Sequence, residues 1–339
     1  MYFKTIIQGR LEFGTQKSYD KVTKMFLQRL ESYYKTDVFF KYEEIFNDED
    51  LSLEIPRYVG QVTDKAFRTT TGLLEYCSQF AIAGSIRGWL INEGKILHFV
   101  TLEPDSDKGA VQSFVRGRKL VKVRGKESEA IAALSQAIEK YDRHAQAYER
   151  RAKVNFMLKN HHDALRDYNK CIGIDPTIPT AYYGKAKIHM IREEWAEAIQ
   201  NLDESIKKSI ALQTLYWKSR KLKAECHIQL KEWQKAAFDL KLFTTRSFSN
   251  DNPNKFWVRW AFFRYGQVLM ELEEFQDALK AFDKAINLPN GADGLNESEM
   301  LTYRGLAKQK AGKSGYAKDI KDAAKKGGKK AKTLLKNLK

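Results

Sequence analysis

The sequence predicts an α+β N-terminal domain followed by an all-α superhelical solenoid. Apolar residues in the first hundred positions alternate between strand and helix spacing. In the rest of the chain, a helical pattern of small and bulky residues recurs every 34 to 42 positions. Two packed cores are feasible, because the 339 residues are 43% hydrophobic and 12% aromatic.

The N-terminal domain is predicted to cover residues 1–108. Its pattern indicates, in chain order, a strand at residues 2–13, a helix at 16–34, a strand at 37–46, a helix at 64–83 and a hairpin at 86–103. Asn92 to Lys95 would form the turn of the hairpin, since Gly94 tolerates a positive φ. These elements indicate a small domain with a mixed sheet.

Residues 109–126 are predicted to be a basic connector or an edge strand, because Val121 and Val123 alternate with cations there. Two interpretations stay open. Lysine and arginine often protect a sheet edge against aggregation, and here they would equally form an anion-binding strip between the domains. The strip would consist of Arg116, Arg118, Lys119, Lys122 and Arg124.

The second half of the chain contains an internal repeat. Each unit has one small residue within a first helix and another early in a second helix, and equivalent positions are 34, 38 and then 42 residues apart. The two sets are Ala152, Ala186, Ala224 and Gly266, and Ala164, Ala198, Ala236 and Ala278. Small residues at both places allow two antiparallel helices to approach closely.

This pattern resembles the tetratricopeptide repeat (TPR) family, whose unit is a helix-turn-helix of about 34 residues. A bulky aromatic residue three positions before the second small residue (Trp195, Trp233, Phe275) adds to the resemblance, as does Pro176 at the end of a unit. The resemblance covers residues 127–326, with a half unit before the four full units and a shortened fifth unit after them. It implies a TPR-type solenoid and a non-enzymatic adaptor or scaffold.

In this family the first helices line a concave groove, so their open face is the predicted partner-binding site. The groove residues would be Arg150, Lys153, Tyr183, Lys187, Lys218, Lys221, Trp260, Phe263, Arg264, Gln267, Arg304 and Lys308. Cations and aromatic rings dominate this set, which suits a protein segment with acidic residues and an apolar anchor.

One subtype of the family holds the C-terminal carboxylate of chaperones with a Lys-Asn-Asn-Lys-Arg constellation. Here Glu149, Lys153, Gly184 and Leu222 stand at four of those places, and only Lys218 matches. The sequence therefore argues against a chaperone co-factor of that type.

No catalytic site, cofactor or metal is predicted. The chain lacks a P-loop, a dinucleotide fingerprint and a nucleophile elbow. Its three cysteines are far apart and are expected to be buried thiols. His189 and His227 occupy equivalent interior positions and are expected to be core residues. Neither a membrane span nor a signal peptide is indicated, so a cytoplasmic location is expected.

The net charge of +16 is concentrated at the C-terminus, where residues 308–339 carry 12 lysines and 2 aspartates. Gly327 and Gly328 are predicted to end the last repeat helix, and residues 327–339 to contain a basic capping helix. Its apolar stripe would be Ala331, Leu334, Leu335 and Leu338. Such basic patches also support an alternative function, a nucleic-acid- or ribosome-associated protein that uses the connector, the groove and the C-terminal helix.

Overall fold

The computed structural model describes residues 1–32, 34, 37–289 and 293–337. The chain divides into two compact units, Met1–Ile188 and His189–Lys339. The first unit contains a β-sheet and the first helical hairpins, whereas the second is helical. The domain limit expected at residue 108 therefore lies inside the first unit, and the limit at residue 326 stays a prediction.

The first unit begins with an α+β fold. Its elements are β1 (Tyr2–Glu12), α1 (Gln16–Ser32), α2 (Tyr42–Ile45), β2 (Phe46–Asn47), β3 (Ser52–Thr63), α3 (Asp64–Ser78), β4 (Ala83–Asn92) and β5 (Lys95–Leu102). The strand order is β2-β3-β1-β4-β5. The core contains Ile7 and Leu11 of β1 together with Val22 of α1 and Phe67 of α3. The sequence analysis wrongly predicts a mixed sheet, since all strand pairs among the described residues are antiparallel.

The strand predicted at residues 37–46 is also wrong for most of its length. Only Phe46 and Asn47 pair with β3, whereas the aromatic residues before them fill the core. Phe40 is buried, and Phe39 stacks on Tyr58 of β3 with 4.9 Å between ring centroids. The long strand β3 escaped prediction because it contains Pro56 and two charged residues, Glu54 and Arg57, which weaken the strand signal.

Three other N-terminal predictions are confirmed. The helices expected at 16–34 and 64–83 are α1 and α3, although α3 ends at Ser78, five residues before the predicted end. The Thr63 side chain caps α3 by accepting a hydrogen bond from the Ala66 backbone N–H. The expected hairpin is β4–β5. Glu93 and Gly94 form its turn with φ of 47° and 77°, the conformation that a two-residue hairpin requires.

The rest of the chain is helical. Its helices are α4 (Gly109–Leu120), α5 (Glu127–Lys140), α6 (Ala145–Met157), α7 (His161–Ile174), α8 (Pro179–Ile191), α9 (Trp195–Lys208), α10 (Thr214–Gln229), α11 (Trp233–Thr245), α12 (Val258–Glu271), α13 (Phe275–Asn287), α14 (Glu297–Lys310), α15 (Tyr316–Lys325) and α16 (Lys329–Asn337). A short 3-10 helix, Lys255–Trp257, precedes α12. The hairpins α6/α7, α10/α11, α12/α13 and α14/α15 each pack as antiparallel pairs.

The basic segment at residues 109–126 is a correction to the sequence analysis, because most of it forms helix α4 and no edge strand. Ala110, Val111, Phe114 and Gly117 are buried at helical spacing. A Cβ on Gly117 would lie 2.6 Å from Leu134 Cγ, so the glycine permits α4 to pack closely against α5. The alternation at residues 121–124 falls in the turn after α4 and does not belong to a strand.

The predicted repeat offsets are confirmed by the turns between helices. Lys159, Glu193, Lys231 and Glu273 have φ between 56° and 64°, and they are spaced 34, 38 and 42 residues apart. The small residues of both helices are buried throughout the four units. A Cβ on Gly266 would lie 2.6 Å from the Phe282 ring. The four repeats therefore share the same turn geometry and bury the same small residues.

A network of ion pairs joins the sheet to the first helices within the first unit. The guanidinium of Arg10 on β1 contacts Glu12 at 2.6 Å, Asp50 at 2.7 Å and Glu54 at 2.6 Å. From the loop between α5 and α6, the Tyr141 hydroxyl donates to Glu12 Oε2 at 2.8 Å, and Arg143 contacts Asp50 at 3.1 Å. The sheet is thus bonded to the beginning of the helical array.

The C-terminal tail forms the predicted helix, α16. Gly327 ends the preceding segment with φ of 90°. Ala331 is fully buried and Leu335 packs against the cluster of Leu301, Ala323 and Ala324. Leu338 lies outside the described residues. The helix covers the end of the last hairpin, as a capping helix does.

Candidate functional site

The second unit contains three first helices, α10, α12 and α14, which carry eight of the predicted groove residues. Lys218 and Lys221 lie three residues apart on α10, so they share a face of that helix. Trp260, Arg264 and Gln267 follow the same spacing on α12, and Arg304 and Lys308 on α14. The side-chain partners of these residues decide which of them are available to a ligand.

Lys221 lies against two indole rings. Its Nζ is 3.1 Å from the ring centroid of Trp257 and 4.7 Å from that of Trp260. Burial lowers the pKa of Lys221 to about 8, while Glu225 raises it and Lys218 lowers it further. Within the described part of the chain, no carboxylate lies within ion-pair distance of this ammonium group. Among the described residues, the charge of Lys221 thus lies against two aromatic faces.

We call Lys218, Lys221, Trp257 and Trp260 the aromatic-lysine cluster. The two indoles meet edge to face, with centroids 6.2 Å apart. Trp257 comes from the 3-10 helix at the end of the insertion between α11 and α12, which is held to α10 by a 3.0 Å hydrogen bond from Asn254 Nδ2 to the Thr214 carbonyl. The sequence analysis did not select Trp257, although it precedes Trp260 by three residues and this spacing could have revealed it.

Arg264 is engaged within the protein. Its Nε and Nη2 donate to the two carboxylate oxygens of Glu225 at 2.8 and 2.9 Å, and its Nη1 donates to Gln267 at 2.7 Å. This bidentate pair links α12 to α10 next to Lys221. Arg264 therefore joins two first helices beside the cluster, and Gln267 holds its guanidinium from the same helix.

Phe263 is not a groove residue. Its side chain is 2% exposed and lies between Phe282 and Tyr303, at centroid distances of 5.7 and 5.5 Å. The sequence placed it in the groove because Trp260 and Phe263 share helical spacing. Position 263 points into the α12/α13/α14 core cluster, so this assignment is corrected.

Arg304 and Lys308 are tied to the second helix of their own hairpin. Arg304 donates to both carboxylate oxygens of Asp319 at 2.8 and 2.7 Å, and Lys308 contacts the same carboxylate at 2.8 Å. Burial would raise the pKa of Asp319, but the hydrogen bonds from Arg304 and Lys308 outweigh it and lower that pKa. A second pair, Arg304 with Asp283, lies at 3.3 Å. These cations stabilise the α14/α15 hairpin.

The four groove candidates of the first unit differ in their surroundings. Arg150 is 3.2 Å from the buried Glu149, and Lys187 Nζ lies 3.9 Å from the Phe156 ring centroid. Burial raises the pKa of Tyr183. Lys153 is exposed.

The predicted anion-binding strip is dispersed by helix α4. Arg116 and Lys119 are exposed on one side of the helix, whereas Arg118 pairs with Glu103 and lies over Phe114. Lys122 and Arg124 follow in the turn after the helix. The five residues therefore lie on a helix and the turn after it and do not follow an extended strand.

The two interior histidines have structural partners. His189 Nδ1 and His227 Nδ1 each lie 2.6 Å from a carboxylate oxygen, of Glu194 and Glu232 respectively. Each glutamate stands at the N-terminal cap of a second helix, so each pair links the two helices of a hairpin. The sequence analysis missed these pairs, although the five-residue spacing recurs in both units.

Several other features of the described residues bear on chemistry. They contain no cluster of His, Cys, Asp and Glu that could hold a metal ion. Cys77, Cys171 and Cys226 are buried free thiols, as expected, and burial raises the pKa of Cys77 to about 12. Across the same described residues, every helix is too short or too polar to cross a bilayer.

Comparisons with known proteins identify the repeat. Tetratricopeptide repeat profiles match residues 124–179 and 261–290. The solved structure of YrrB, described as a TPR protein with an unusual peptide-binding site, has a TM-score of 0.51 and 18% identity, covering 60% of this chain and 98% of that chain. The solved structure of PilF from Pseudomonas aeruginosa has a TM-score of 0.49 and 17% identity, and the match covers 68% of this chain and 92% of that chain.

A further match is the TPR2B domain of yeast Sti1 in a pHsp70 complex, with a TM-score of 0.30 and 26% identity over 34% of this chain and 98% of that chain. No curated protein matches the chain. The profile matches and the likeness to YrrB show that the helical hairpins have the tetratricopeptide repeat fold.

Proposed function

This chain is a tetratricopeptide repeat protein, and we propose that it is a non-enzymatic adaptor whose first helices bind a segment of another protein. The repeats would stack into a superhelical solenoid with those helices on its concave side. YrrB, which shares the fold, is described as having a peptide-binding site. The aromatic-lysine cluster is our candidate for the centre of the corresponding surface.

The placement of Lys221 is the observation that supports this proposal best. An ammonium group that lies against two indoles, and that forms no ion pair with any described carboxylate, has lost part of its hydration without full compensation. A carboxylate from a partner would supply the missing counter-ion, and Lys218 beside it would add a second positive charge. Trp257 and Trp260 would supply desolvated apolar contact.

The surroundings of the cluster define the partner further. Glu225 is already neutralised by Arg264, so it does not repel an acidic segment from this place. Phe256, next to Trp257, is 61% exposed and adds apolar surface. The partner segment is therefore proposed to carry an acidic residue beside an apolar or aromatic one, and the cytoplasm is proposed as its compartment.

The proposal is tested by affinity purification of the full chain from nuclease-treated lysate of its source cells, with mass spectrometry of the bound proteins. We expect one discrete partner to be captured by the wild type and by K235E/K241E, which changes two lysines of α11. K218E/K221E and Trp257→Ala should lose it. A partner retained by both cluster variants, with circular dichroism showing them folded, would refute this site.

The alternative, a nucleic-acid- or ribosome-associated function that uses the basic connector, the groove and the C-terminal helix, has less support from the first two of these regions. Of the connector cations, Arg118 is paired with Glu103, and in the groove Arg264, Arg304 and Lys308 are held by carboxylates of the protein. Nuclease treatment in the same experiment separates the two functions, because a bridge through nucleic acid would be lost.

A further inference from the structure

The last two helices carry the same pattern of lysines. Each lysine of α15 has an equivalent eleven residues later in α16, and the pairs are Lys318 and Lys329, Lys321 and Lys332, and Lys325 and Lys336. The spacing within each helix, three and then four residues, places its three lysines on one side. We call these two sets the lysine rows.

The apolar residues of the two helices obey the same offset. Ile320, Ala323 and Ala324 of α15 correspond to Ala331, Leu334 and Leu335 of α16. Ile320, Ala323 and Ala331 are buried, and Leu335 packs against the Leu301 cluster. Both helices therefore turn an apolar side inward and a lysine row outward.

Among the described residues, no carboxylate forms an ion pair with the lysine rows. All six side chains are exposed, and within the described part of the chain none of them has an ion pair. The nearby Asp319 is occupied by Arg304 and Lys308, and the nearby Lys326 differs from the rows because it pairs with Glu297 at 2.9 Å. The rows thus present six exposed positive charges on two helices that pack against each other.

The chemistry of the rows selects among anionic partners. Among the described residues, α15 and α16 expose no large apolar side chain that could insert into a membrane. They also contain no arginine, and Tyr316 is the only aromatic residue in either helix, so the anchors that dominate protein interfaces are scarce. Evenly spaced lysines suit a partner with a regular, closely spaced charge.

We propose that the lysine rows bind the phosphate backbone of nucleic acid without reading its bases. Seven residues of helix span about 10 Å at 1.5 Å per residue, a length that corresponds to about six charges of a duplex with one charge per 1.7 Å of axis. Lysine neutralises such phosphates as a point charge and releases their condensed counter-ions. This interaction is independent of the aromatic-lysine cluster and of the proposed adaptor function.

The test measures fluorescence anisotropy of the full chain with a labelled 20-bp DNA duplex and a labelled 20-nucleotide RNA of unrelated sequence. With six lysines engaged, the slope of log affinity against log salt is expected to be about −5 for the duplex, and affinity should fall about 10³-fold between 50 and 200 mM salt. The RNA arm decides which nucleic acid is preferred. Sequence changes in either probe should leave affinity within about twofold.

Charge variants locate the site. K318E/K321E/K325E and K329E/K332E/K336E should each weaken binding at least tenfold and flatten the salt slope. K235E/K241E/K280E makes the same change in net charge at two lysines of α11 and one of α13. This control should weaken nucleic-acid binding less than threefold. K329R/K332R/K336R should bind as the wild type does, and K329Q/K332Q/K336Q provides a milder version if charge reversal unfolds α16, as circular dichroism would show.

Three results would overturn the proposal. One is an equal loss of binding in the α11/α13 control, which would indicate a net-charge effect. Another is a salt slope shallower than about −1. The third is row-dependent binding of vesicles containing phosphatidylserine, or of polyglutamate, at least as tight as that of the nucleic acids, which would assign the rows to a membrane or to an acidic protein.

Discussion

Lysine has different surroundings in the aromatic-lysine cluster and in the lysine rows. In the cluster, Lys221 is partly buried against two indoles, and burial lowers its pKa to about 8. In the rows, six lysines are exposed to solvent on the outer sides of α15 and α16. A partly buried charge favours a specific, dry contact, whereas solvated charges give binding that salt weakens. Net charge alone would not separate these two surfaces.

The largest expected effect tests whether Phe263 is a core residue that lies outside the aromatic-lysine cluster. Phe263→Ala should lower the free energy of unfolding by about 4 kcal/mol, because the ring fills the core between Phe282 and Tyr303. Urea denaturation followed by circular dichroism measures this change. Trp257→Ala serves as the comparison and should lower stability by less than half as much. If Phe263→Ala changes the free energy of unfolding only slightly, Phe263 belongs to the candidate surface and not to the core.

The next effect tests whether the cations of α14 are structural. Asp319→Ala should lower the free energy of unfolding by about 3 kcal/mol, since it leaves Arg304 and Lys308 without their shared carboxylate. The same urea experiment applies, with Asp322→Ala on the same helix as control. If the two variants are equally stable, Arg304 and Lys308 are free enough to serve a ligand.

A third effect distinguishes Lys221 from the rows by pH. The unfolded chain holds the Lys221 proton up to a pKa near 10.5, whereas the folded chain releases it near pH 8. Between these values the unfolded state binds more protons, so the free energy of unfolding should rise with pH, by about 1 to 2 kcal/mol after allowance for solvent screening. The rise should vanish in Lys221→Met and persist in Lys332→Met, as urea denaturation at pH 7 to 10 would show.

The smallest effect concerns the rows themselves. Lys332→Ala should change the free energy of unfolding by less than about 0.5 kcal/mol, because an exposed lysine without an ion pair contributes little to the fold. Thermal denaturation at two salt concentrations measures it. A decrease in the free energy of unfolding of more than about 1 kcal/mol would mean that the lysine rows stabilise α16, which contradicts a role in partner binding alone.

The repeat could be predicted well because its signal is local and recurs. The offsets of 34, 38 and 42 residues reappear in the φ angles of the turns at Lys159, Glu193, Lys231 and Glu273. The N-terminal sheet was predicted less well, since β3 contains Pro56 and depends on pairing with distant β1. Helix α4 was misread because its cations, Arg116, Arg118 and Lys119, masked five buried positions at helical spacing.

The candidate site shows a different limit of sequence reasoning. Helical spacing correctly placed Lys218 and Lys221 on one face of α10. It could not reveal that Arg264 is bound by Glu225, 39 residues away, or that Phe263 turns into the core. Which side chain is already occupied is decided by long-range contacts, and the spacing of one helix does not contain that information.

The ion network between the sheet and the first helices has a consequence for experiments with shortened chains. A protein that begins at residue 109 would retain Tyr141 and Arg143 but lose Glu12 and Asp50, the carboxylates that they contact. Gln146 of α6 would likewise lose the Gly84 backbone N–H that it accepts from. The sheet thus covers the N-terminal end of the helical array. Its removal should cause the truncated protein to aggregate before any partner can be assayed.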